Sequence, residues 1–247
     1  MAEWIQGTVS DNIHWTENLY SLKIDAEVDN FTAGQFTSLA LDIDGERIAR
    51  PYSFLSAPAQ RPLEFFFYTA TGGVLSNAML GLKPGDHIWL KKKANGFFTL
   101  AEVPDSRDLW LFGTGTGIAP FFSILKTEEP WRRFEKVILV HGVRTAADLR
   151  YHELIGEIQQ CRGDKFQFKA FVTREDVPGT YHGRIPAAIA DGNLENACST
   201  KLSIEDSQIM LCGNPDMVKD AVEILKERGF KKNRRRTPGQ ITVENYW

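Results

Sequence analysis

The sequence has few cysteines and no long apolar segment, and both shortages restrict what the protein can be. Three cysteines, at positions 161, 198 and 212, are too few and too scattered for a disulfide framework, an iron–sulfur cluster or a zinc site. No apolar run approaches the roughly 20 residues of a membrane span. The stretch after Met1 also lacks the basic and apolar regions of a signal peptide. We therefore expect a cytoplasmic protein without a metal site.

Strong charge of either sign is also missing. The net charge of −3 over 247 residues gives no indication of nucleic acid or membrane as a partner. Apolar residues make up 43% and charged residues 25%, which is typical of a globular protein, and the length allows two domains of ordinary size.

The first 100 residues contain short β-type runs separated by turn residues. The runs are Trp4–Val9, Tyr20–Ile24, Gln35–Ile43, Arg47–Phe54, Leu63–Thr69 and His87–Leu90. Asp44-Gly45 favours a tight hairpin. Six strands with tight turns predict a small antiparallel β-barrel over residues 1–100, with one short helix near Leu75–Leu82.

After a polar linker at 101–107, strands and helices alternate. Apolar strands are predicted at Leu109–Phe112, Lys136–His141, Lys165–Val172 and Gln208–Cys212, and helices near 117–127, 151–160, 184–191 and 215–229. This alternation predicts an α/β domain with a parallel sheet over residues 108–247. Ligands of such sheets bind beyond the carboxyl ends of the strands.

The stretch Leu109–Pro120 combines an apolar strand with three glycines at alternate positions and a following helix. Glycines in such a turn let backbone amides approach a ligand, and the helix N-terminus favours a phosphate. The pattern Gly-x-Gly-x-Gly is not the dinucleotide fingerprint, however. A ligand-free glycine turn explains this stretch as well as a phosphate site does.

Two pieces of the first half could also hold a ligand. Arg50 and Tyr52 alternate onto one face of a strand, where an arginine can hold a phosphate and a tyrosine can present a flat ring. Gly72–Ser76 is a turn that enters a helix, where backbone amides and a hydroxyl could form a second phosphate cradle. An exposed arginine with a core tyrosine, and a simple helix cap, are the alternatives.

Arginines occur at three predicted element ends of the second half. Arg144 and Arg174 follow two strands, and Arg184 begins a helix. An NAD-binding sheet usually carries an acid after its second strand, whereas arginines suit a 2′-phosphate and hence NADP. Each arginine alone could be an ordinary surface charge.

Five motifs, taken in order, resemble the ferredoxin–NADP reductase family. They are Arg50-Pro-Tyr-Ser53, Gly73-x-x-Ser76, Gly113-Thr-Gly-Thr-Gly-Ile-Ala-Pro120, Cys212-Gly-Asn-Pro215 and an aromatic chain end. The resemblance covers essentially the whole chain. It is strongest to the bacterial reductases of enterobacterial type, which use flavodoxin or ferredoxin and also end in Tyr-Trp.

The resemblance implies FAD in the barrel. Its contacts would come from Arg50, Pro51, Tyr52, Ser53, Phe66, Phe67, Tyr68, Gly73, Val74, Leu75, Ser76, Thr116, Tyr246 and Trp247. Arg50 and Ser76 would hold the pyrophosphate, and Tyr52 and Tyr246 would pack on the two faces of the flavin. Trp247 would stack on the adenine.

The resemblance also implies NADP(H) on the second domain. Its contacts would come from Gly115, Val143, Arg144, Thr173, Arg174, Arg184, Asn214, Pro215, Asp216 and Asp220. The residues implied in catalysis are Ser53, Cys212, Glu244 and Tyr246. Ser53 would lie near flavin N5 and Cys212 near the nicotinamide, and Glu244 would relay a proton.

The implied partners are ferredoxin and flavodoxin, which are acidic. Lys231, Lys232, Arg234, Arg235 and Arg236 form a basic run that would steer such carriers to the protein. The implied reaction transfers hydride from NADPH and then single electrons to the carrier. A monomer is expected.

Two other functions are compatible with parts of the sequence. The same two domains could serve a flavin reductase or the reductase component of an oxygenase, with NADH or NADPH as donor. A non-enzymatic module regulated by nucleotide is the alternative from another class. Retained FAD argues against a free-flavin reductase, and hydride transfer argues against the binding module.

Overall fold

The computed structural model describes residues 3–69 and 71–245. Contacts within the chain define two units, Met1–Thr99 with Phe122–Thr127 and Leu100–Phe121 with Glu128–Trp247. Each unit has its own six-stranded sheet and its own hydrophobic core.

The sheet of the first unit is antiparallel, as predicted. Its strands are β1 (Trp4–His14), β2 (Leu19–Asp25), β3 (Phe36–Ile43), β4 (Glu46–Ser53), β5 (Leu63–Tyr68) and β6 (His87–Lys91). Their order is β4-β3-β6-β1-β2-β5. Helix α1 (Val74–Leu80) lies between β5 and β6 in the chain.

The two edge strands of this sheet meet, as in a barrel. Just beyond β4, the Leu55 amide donates to the Glu64 carbonyl of β5 at 2.8 Å, and the Glu64 amide donates to Ser56 Oγ at 2.7 Å. The predicted hairpin joins β3 to β4: Asp44 and Gly45 both have positive φ (50° and 83°), as a two-residue turn of this type requires. The first unit is thus a small antiparallel β-barrel.

The second unit alternates strands and helices. Its strands are β7 (Asp108–Thr114), β8 (Lys136–Val143), β9 (Phe166–Val172), β10 (Tyr181–His182), β11 (Ser207–Gly213) and β12 (Ile241–Asn245). Its helices are α2 (Ala119–Leu125), α3 (Glu129–Arg133), α4 (His152–Arg162), α5 (Ile185–Ala190), α6 (Asn193–Cys198) and α7 (Pro215–Glu227). Residues 122–125 of α2 group with the first unit.

The parallel sheet reverses its direction of growth beside β7. The strand order is β10-β9-β8-β7-β11-β12, so the chain first builds outward from β7 on one side and then returns to its other side. Ligands of open α/β sheets bind at such a switch point, beyond the carboxyl ends of the strands. Every residue of β11 is buried, as is typical of a central strand in a parallel sheet, and this burial accounts for its apolar run over residues 209–212.

Some elements differ from the sequence-based expectation. Strand β1 continues past Val9 to His14, because a register shift between Val9 and Asp11 lets its polar second half stay paired with β2. Strands β10 and β12 and helices α3 and α6 were not predicted. They are only two to six residues long, and such short elements carry little periodicity.

Within the described residues, no helix is long and apolar enough to cross a membrane. The same residues contain no cluster of three or more side chains suited to hold a metal ion.

Candidate active site

The glycine turn after β7 combines one glycine that must pack tightly with one that lies open. A Cβ on Gly117 would lie 2.6 Å from Gly213 Cα and 2.7 Å from the Cys212 carbonyl oxygen, so only glycine fits there. A Cβ on Gly115 would meet no atom of the described residues within 4 Å, although its φ of +53° favours glycine. The turn is therefore pressed against the end of β11 while the backbone at Gly115 remains approachable.

Thr114 ties this turn to the turn that follows β11. Its Oγ1 accepts a hydrogen bond from the Asn214 amide at 2.9 Å. The Asn214 side chain in turn caps α7, because its Oδ1 accepts from the Asp216 and Met217 amides at 2.9 and 3.2 Å. Two turns at the switch point are thus held together, and Pro215 begins the helix behind them.

His141 supports the glycine turn from the neighbouring strand. It lies on β8 opposite Gly113, is buried, and its Nε2 is 2.9 Å from the Gly115 carbonyl oxygen. Burial lowers the pKa of His141 to about 4, so the ring is neutral at physiological pH. A neutral ring that donates from Nε2 fixes the position of the Gly115 carbonyl, while the buried Nδ1 has no hydrogen-bond partner among residues 3–69 and 71–245.

The arginines predicted to bind NADP lie at one edge of the sheet. Arg144 follows β8 and Arg174 follows β9, and the Arg174 amide donates to the Arg144 carbonyl at 3.0 Å. Arg184 directly precedes α5, and the adjacent Gly183 amide donates to the Val172 carbonyl at 3.1 Å. All three side chains are exposed.

The loops that carry these arginines are tied to one another. Besides the bond between the arginines, the Thr173 amide donates to the Val143 carbonyl at 3.1 Å, and the Ala146 amide donates to the Glu175 carboxylate. The loop after β8 is itself closed by a capping box between Thr145 and Asp148. The cationic edge is therefore formed by an ordered backbone.

A cavity of about 320 Å³ opens beside Arg184. Phe171 and Tyr181 stack at one side of it, with ring centroids 5.3 Å apart and an angle of 25° between the planes. Asn193 and Asn196 also line it. The cavity thus offers a flat aromatic surface next to a cation.

Cys212 and Glu244 lie side by side at the same edge. Strand pairing aligns Gly113 with Cys212 and Cys212 with Glu244, which places all three in one row across β7, β11 and β12. Cys212 is fully buried. Burial raises the pKa of Glu244 to about 7, and its buried Oε2 has no hydrogen-bond partner within the described part of the chain. Glu244 can therefore exchange a proton near neutral pH.

The remaining NADP residues predicted from the sequence are spread along α7. Asp216 is exposed in its first turn, and Asp220, one turn further on, is exposed as well.

In the first unit, the predicted FAD residues lie on β4, β5 and α1. Tyr52 is half-buried and packs edge-on against Phe67, with ring centroids 6.1 Å apart. Burial raises the pKa of Tyr52 to about 12, so its hydroxyl stays protonated. Ser53 is buried at the end of β4, whereas Arg50 is exposed and donates to the Ala49 carbonyl at 2.7 Å. Phe66 and Phe67 are buried on β5.

The start of α1 is suited to a phosphate. Gly73 precedes the helix without a side-chain cap, and the first turn contains no acidic residue. The Ser76 hydroxyl donates to the Gly73 carbonyl at 3.2 Å. Tyr68 at the end of β5 and Val74 at the start of α1 expose 40% and 56% of their surface. Uncapped backbone amides at a helix start are able to bind a phosphate.

The basic run is exposed in the segment that precedes β12. Its five cations, Lys231, Lys232, Arg234, Arg235 and Arg236, all lie between α7 and β12. Tyr246 and Trp247, predicted to cover the flavin and the adenine, lie outside the described residues. Thr116 is buried in the short 3-10 helix Gly115–Ile118.

The sequence patterns do not predict Thr114 and His141 as supports of the glycine turn. His141 left one signal, since it interrupts the apolar run of β8 three residues before Arg144. Thr114 left none, because its contact is with a residue 100 positions away.

Two protein-family models match the chain, one in each of its two units. Residues 7–97 match the oxidoreductase FAD-binding domain, and residues 111–223 match the oxidoreductase NAD-binding domain. Over full length on both sides, the chain is 46% identical to the flavodoxin/ferredoxin–NADP reductase of Shigella flexneri and 45% identical to that of Escherichia coli. The chain belongs to the flavodoxin/ferredoxin–NADP reductase family.

A solved member of the reductase family has the same fold. The ferredoxin–NADP⁺ reductase of Neisseria gonorrhoeae, crystallised with FAD and NADP, is 34% identical and superimposes with a TM-score of 0.94 over the whole of both chains. The Amycolatopsis cytochrome P450 reductase GcoB is 27% identical with a TM-score of 0.78, and 99% of the present chain covers 71% of that chain. The predicted family and the predicted two-domain fold are thus confirmed.

Proposed function

We propose that this chain is an FAD-dependent reductase that transfers electrons from NADPH to a one-electron protein carrier, ferredoxin or flavodoxin. The observation that carries the proposal is the carboxyl edge of the parallel sheet. This edge brings together the supported glycine turn, three arginines and the Cys212–Glu244 pair. The chain that carries them belongs to the reductase family.

The two units would divide the binding of the cofactors. Residues 1–100 would hold FAD, residues 108–247 would hold NADP(H), and 101–107 would connect them. Arg50 and Ser76, with the amides of Gly73–Leu75, would bind the pyrophosphate of FAD. Tyr52 would contact the flavin, and Phe66, Phe67 and Tyr68 would line its site. Bound FAD would supply the redox chemistry, since it accepts a hydride and gives up single electrons.

NADPH would lie along the carboxyl edge. The open backbone at Gly115 would approach its pyrophosphate, and the turn at Asn214, whose amides are already hydrogen-bonded to Thr114 and to the Asn214 side chain, would lie beside it. Arg144, Arg174 and Arg184 would hold the 2′-phosphate. The stacked Phe171–Tyr181 pair and the cavity beside Arg184 would receive the adenosine end.

Three described side chains would act near the reacting atoms. The Ser53 hydroxyl would hydrogen-bond to the flavin, and Cys212 would position the nicotinamide as a polarizable neighbour. Glu244 would hold or release a proton near neutral pH, because burial raises its pKa to about 7. Tyr246 would cover the flavin.

The carrier would dock on the basic run. Replacing Arg235 and Arg236 by glutamate reverses two charges, and we expect carrier turnover to fall at least about tenfold because close charge pairs steer association. Reduction of ferricyanide, a small acceptor that needs no docking, should change little. The matched control, Lys83→Glu with Lys201→Glu, makes the same charge change at two exposed lysines elsewhere. Equal loss with both acceptors would reject docking at the basic run.

We also propose that the protein acts as a cytoplasmic monomer. Light scattering on the purified protein would give a mass near 27.9 kDa if the protein is a monomer.

A further inference from the structure

Three consecutive arginines form a tight turn in the basic run. The Arg234 amide donates to the Thr237 carbonyl at 3.0 Å, and the Thr237 amide donates back to the Arg234 carbonyl at 2.9 Å. Arg235 and Arg236 therefore occupy the two corner positions of a closed four-residue turn. We call residues 234–237 the arginine turn.

Asn233 anchors the arginine turn at its base. Its Nδ2 donates to the Glu102 carbonyl at 2.5 Å and to Thr242 Oγ1 at 3.1 Å, and its Oδ1 accepts from the Gly239 amide at 3.3 Å. Its own amide donates to the Ile241 carbonyl at 2.7 Å. One side chain thus links both arms of the segment to the strand that follows and to the segment at Glu102.

Glu102 holds one corner of the turn directly. Its carboxylate accepts a bidentate pair of hydrogen bonds from Nε and Nη2 of Arg235, the shortest at 2.8 Å. These hydrogen bonds lower the pKa of Glu102. Glu102 is itself held in place, because Arg133 donates to the Leu100 carbonyl at 2.7 Å and to the Val103 carbonyl at 2.6 Å. Arg235 is therefore attached to an ordered segment.

We propose that Glu102 and Asn233 are positioning residues that preform the arginine turn as the docking site for an acidic one-electron carrier protein. This inference rests on the proposed function. Long arginine side chains lose conformational freedom when a partner immobilises them, and a site that is ordered beforehand avoids part of that loss. Glu102 would then favour docking by ordering Arg235, although its own negative charge repels an acidic carrier.

The two explanations of docking, net charge and a preformed turn, predict opposite effects on carrier binding when the Glu102 carboxylate is removed. If docking depended only on net charge, removal of this carboxylate would strengthen binding of an acidic carrier. If docking depends on the preformed turn, removal of the carboxylate weakens it. Two variants share the same charge change: Glu102→Ala removes the acceptor, whereas Glu102→Gln keeps a neutral one for Arg235.

The test measures kcat/KM of the FAD-loaded enzyme with NADPH and a purified flavodoxin, alongside ferricyanide reduction. We expect Glu102→Ala to lower kcat/KM for flavodoxin about threefold to tenfold, the range for losing order in one or two side chains, with Glu102→Gln between it and the wild type. The matched control is Asp42→Ala, which breaks a comparable exposed pair with Arg47 in the first unit. It should leave flavodoxin turnover unchanged.

Asn233→Ala provides a second measurement that leaves every charge in place. We expect kcat/KM for flavodoxin to fall by a similar factor at every salt concentration, so that the slope against ionic strength matches the wild type. A purely electrostatic effect would change the slope. Ferricyanide reduction serves as the control for folding in both series.

The outcomes separate this inference from the proposed function. If Arg235→Glu with Arg236→Glu impairs flavodoxin turnover but the Glu102 and Asn233 variants equal or exceed the wild type, the positioning role is wrong and the proposed function stands. A parallel loss of ferricyanide reduction in the Glu102 and Asn233 variants would also overturn the positioning role. If the wild type cannot reduce flavodoxin or ferredoxin at all, both proposals fail.

Discussion

His141 makes the second unit sensitive to acid, and the size of the effect follows from its burial. The pKa of His141 is lowered to about 4 in the folded protein, whereas an unfolded chain has the ordinary value of about 6.5. The unfolded state therefore binds a proton more readily. Stability is fully present above about pH 6.5 and is lost as the pH falls from there toward 4, by about 2 kcal/mol at pH 5.

The substitution His141→Gln tests this reasoning. Glutamine has no titratable ring, and its amide can still donate to the Gly115 carbonyl. We expect the difference in unfolding free energy between pH 7 and pH 5 to shrink by about 2 kcal/mol relative to the wild type. Urea unfolding followed by circular dichroism measures it. The same substitution at exposed His87 is the control. Equal pH dependence in the wild type and His141→Gln would refute the argument.

A second substitution at the same position separates titration from positioning. His141→Leu also removes the titrating ring but leaves the Gly115 carbonyl without its donor. Without this donor the turn must be ordered when the nucleotide binds, at a cost of about the 1 kcal/mol of one hydrogen bond, so we expect about fivefold weaker NADP⁺ binding in His141→Leu and near wild-type binding in His141→Gln. Equal affinity in the two variants would show that the contact does not position the turn.

Three further predictions follow from the same edge of the sheet. Glu244→Gln should remove an inflection near pH 7 from the pH profile of ferricyanide reduction, because the carboxyl is protonated below its raised pKa and ionised above it; an unchanged profile would exclude Glu244 as the titrating group. Arg174→Ala should weaken NADPH binding about tenfold or more while NADH binding stays unchanged, as fluorescence titrations would measure; equal loss for both would contradict a 2′-phosphate contact. Gly117→Ala should lower the unfolding free energy by about 1–3 kcal/mol, since its Cβ would overlap the Gly213 backbone, whereas Gly156→Ala on α4, with open space around it, should not.

The parts of the fold that the sequence predicts well are those with strong local patterns. The buried strands of the parallel sheet are continuous apolar runs, and Asp44-Gly45 is a hairpin signal that its own φ values explain. Strand β10 has no such pattern, and that of β12 is very short. Tyr181–His182 is strand only because it pairs with the end of β9. Ile241–Asn245 alternates apolar and polar residues over only four positions, too few to single it out before its pairing with β11 is known.

The residues of the candidate site also differ in whether a local sequence pattern indicates them. Residues that make their own local signal, such as the glycines of 113–117 and the arginines after β8 and β9, could be singled out from the sequence. The supports could not, because their contacts are distant in the chain: Thr114 meets Asn214, and Asn233 meets Glu102, across 100 and 131 positions. Neither spacing nor composition indicates such pairs before the fold brings them together.

The central claim is that this chain carries FAD and takes hydride from NADPH in preference to NADH. An anaerobic titration of the purified protein with each nucleotide, followed through the visible flavin spectrum, tests it most directly. We expect a yellow protein whose spectrum bleaches readily with NADPH and poorly with NADH. Equal bleaching with NADH would contradict the proposed binding of the 2′-phosphate by Arg144, Arg174 and Arg184. A colourless protein that cannot take up FAD would contradict the proposed function as a whole.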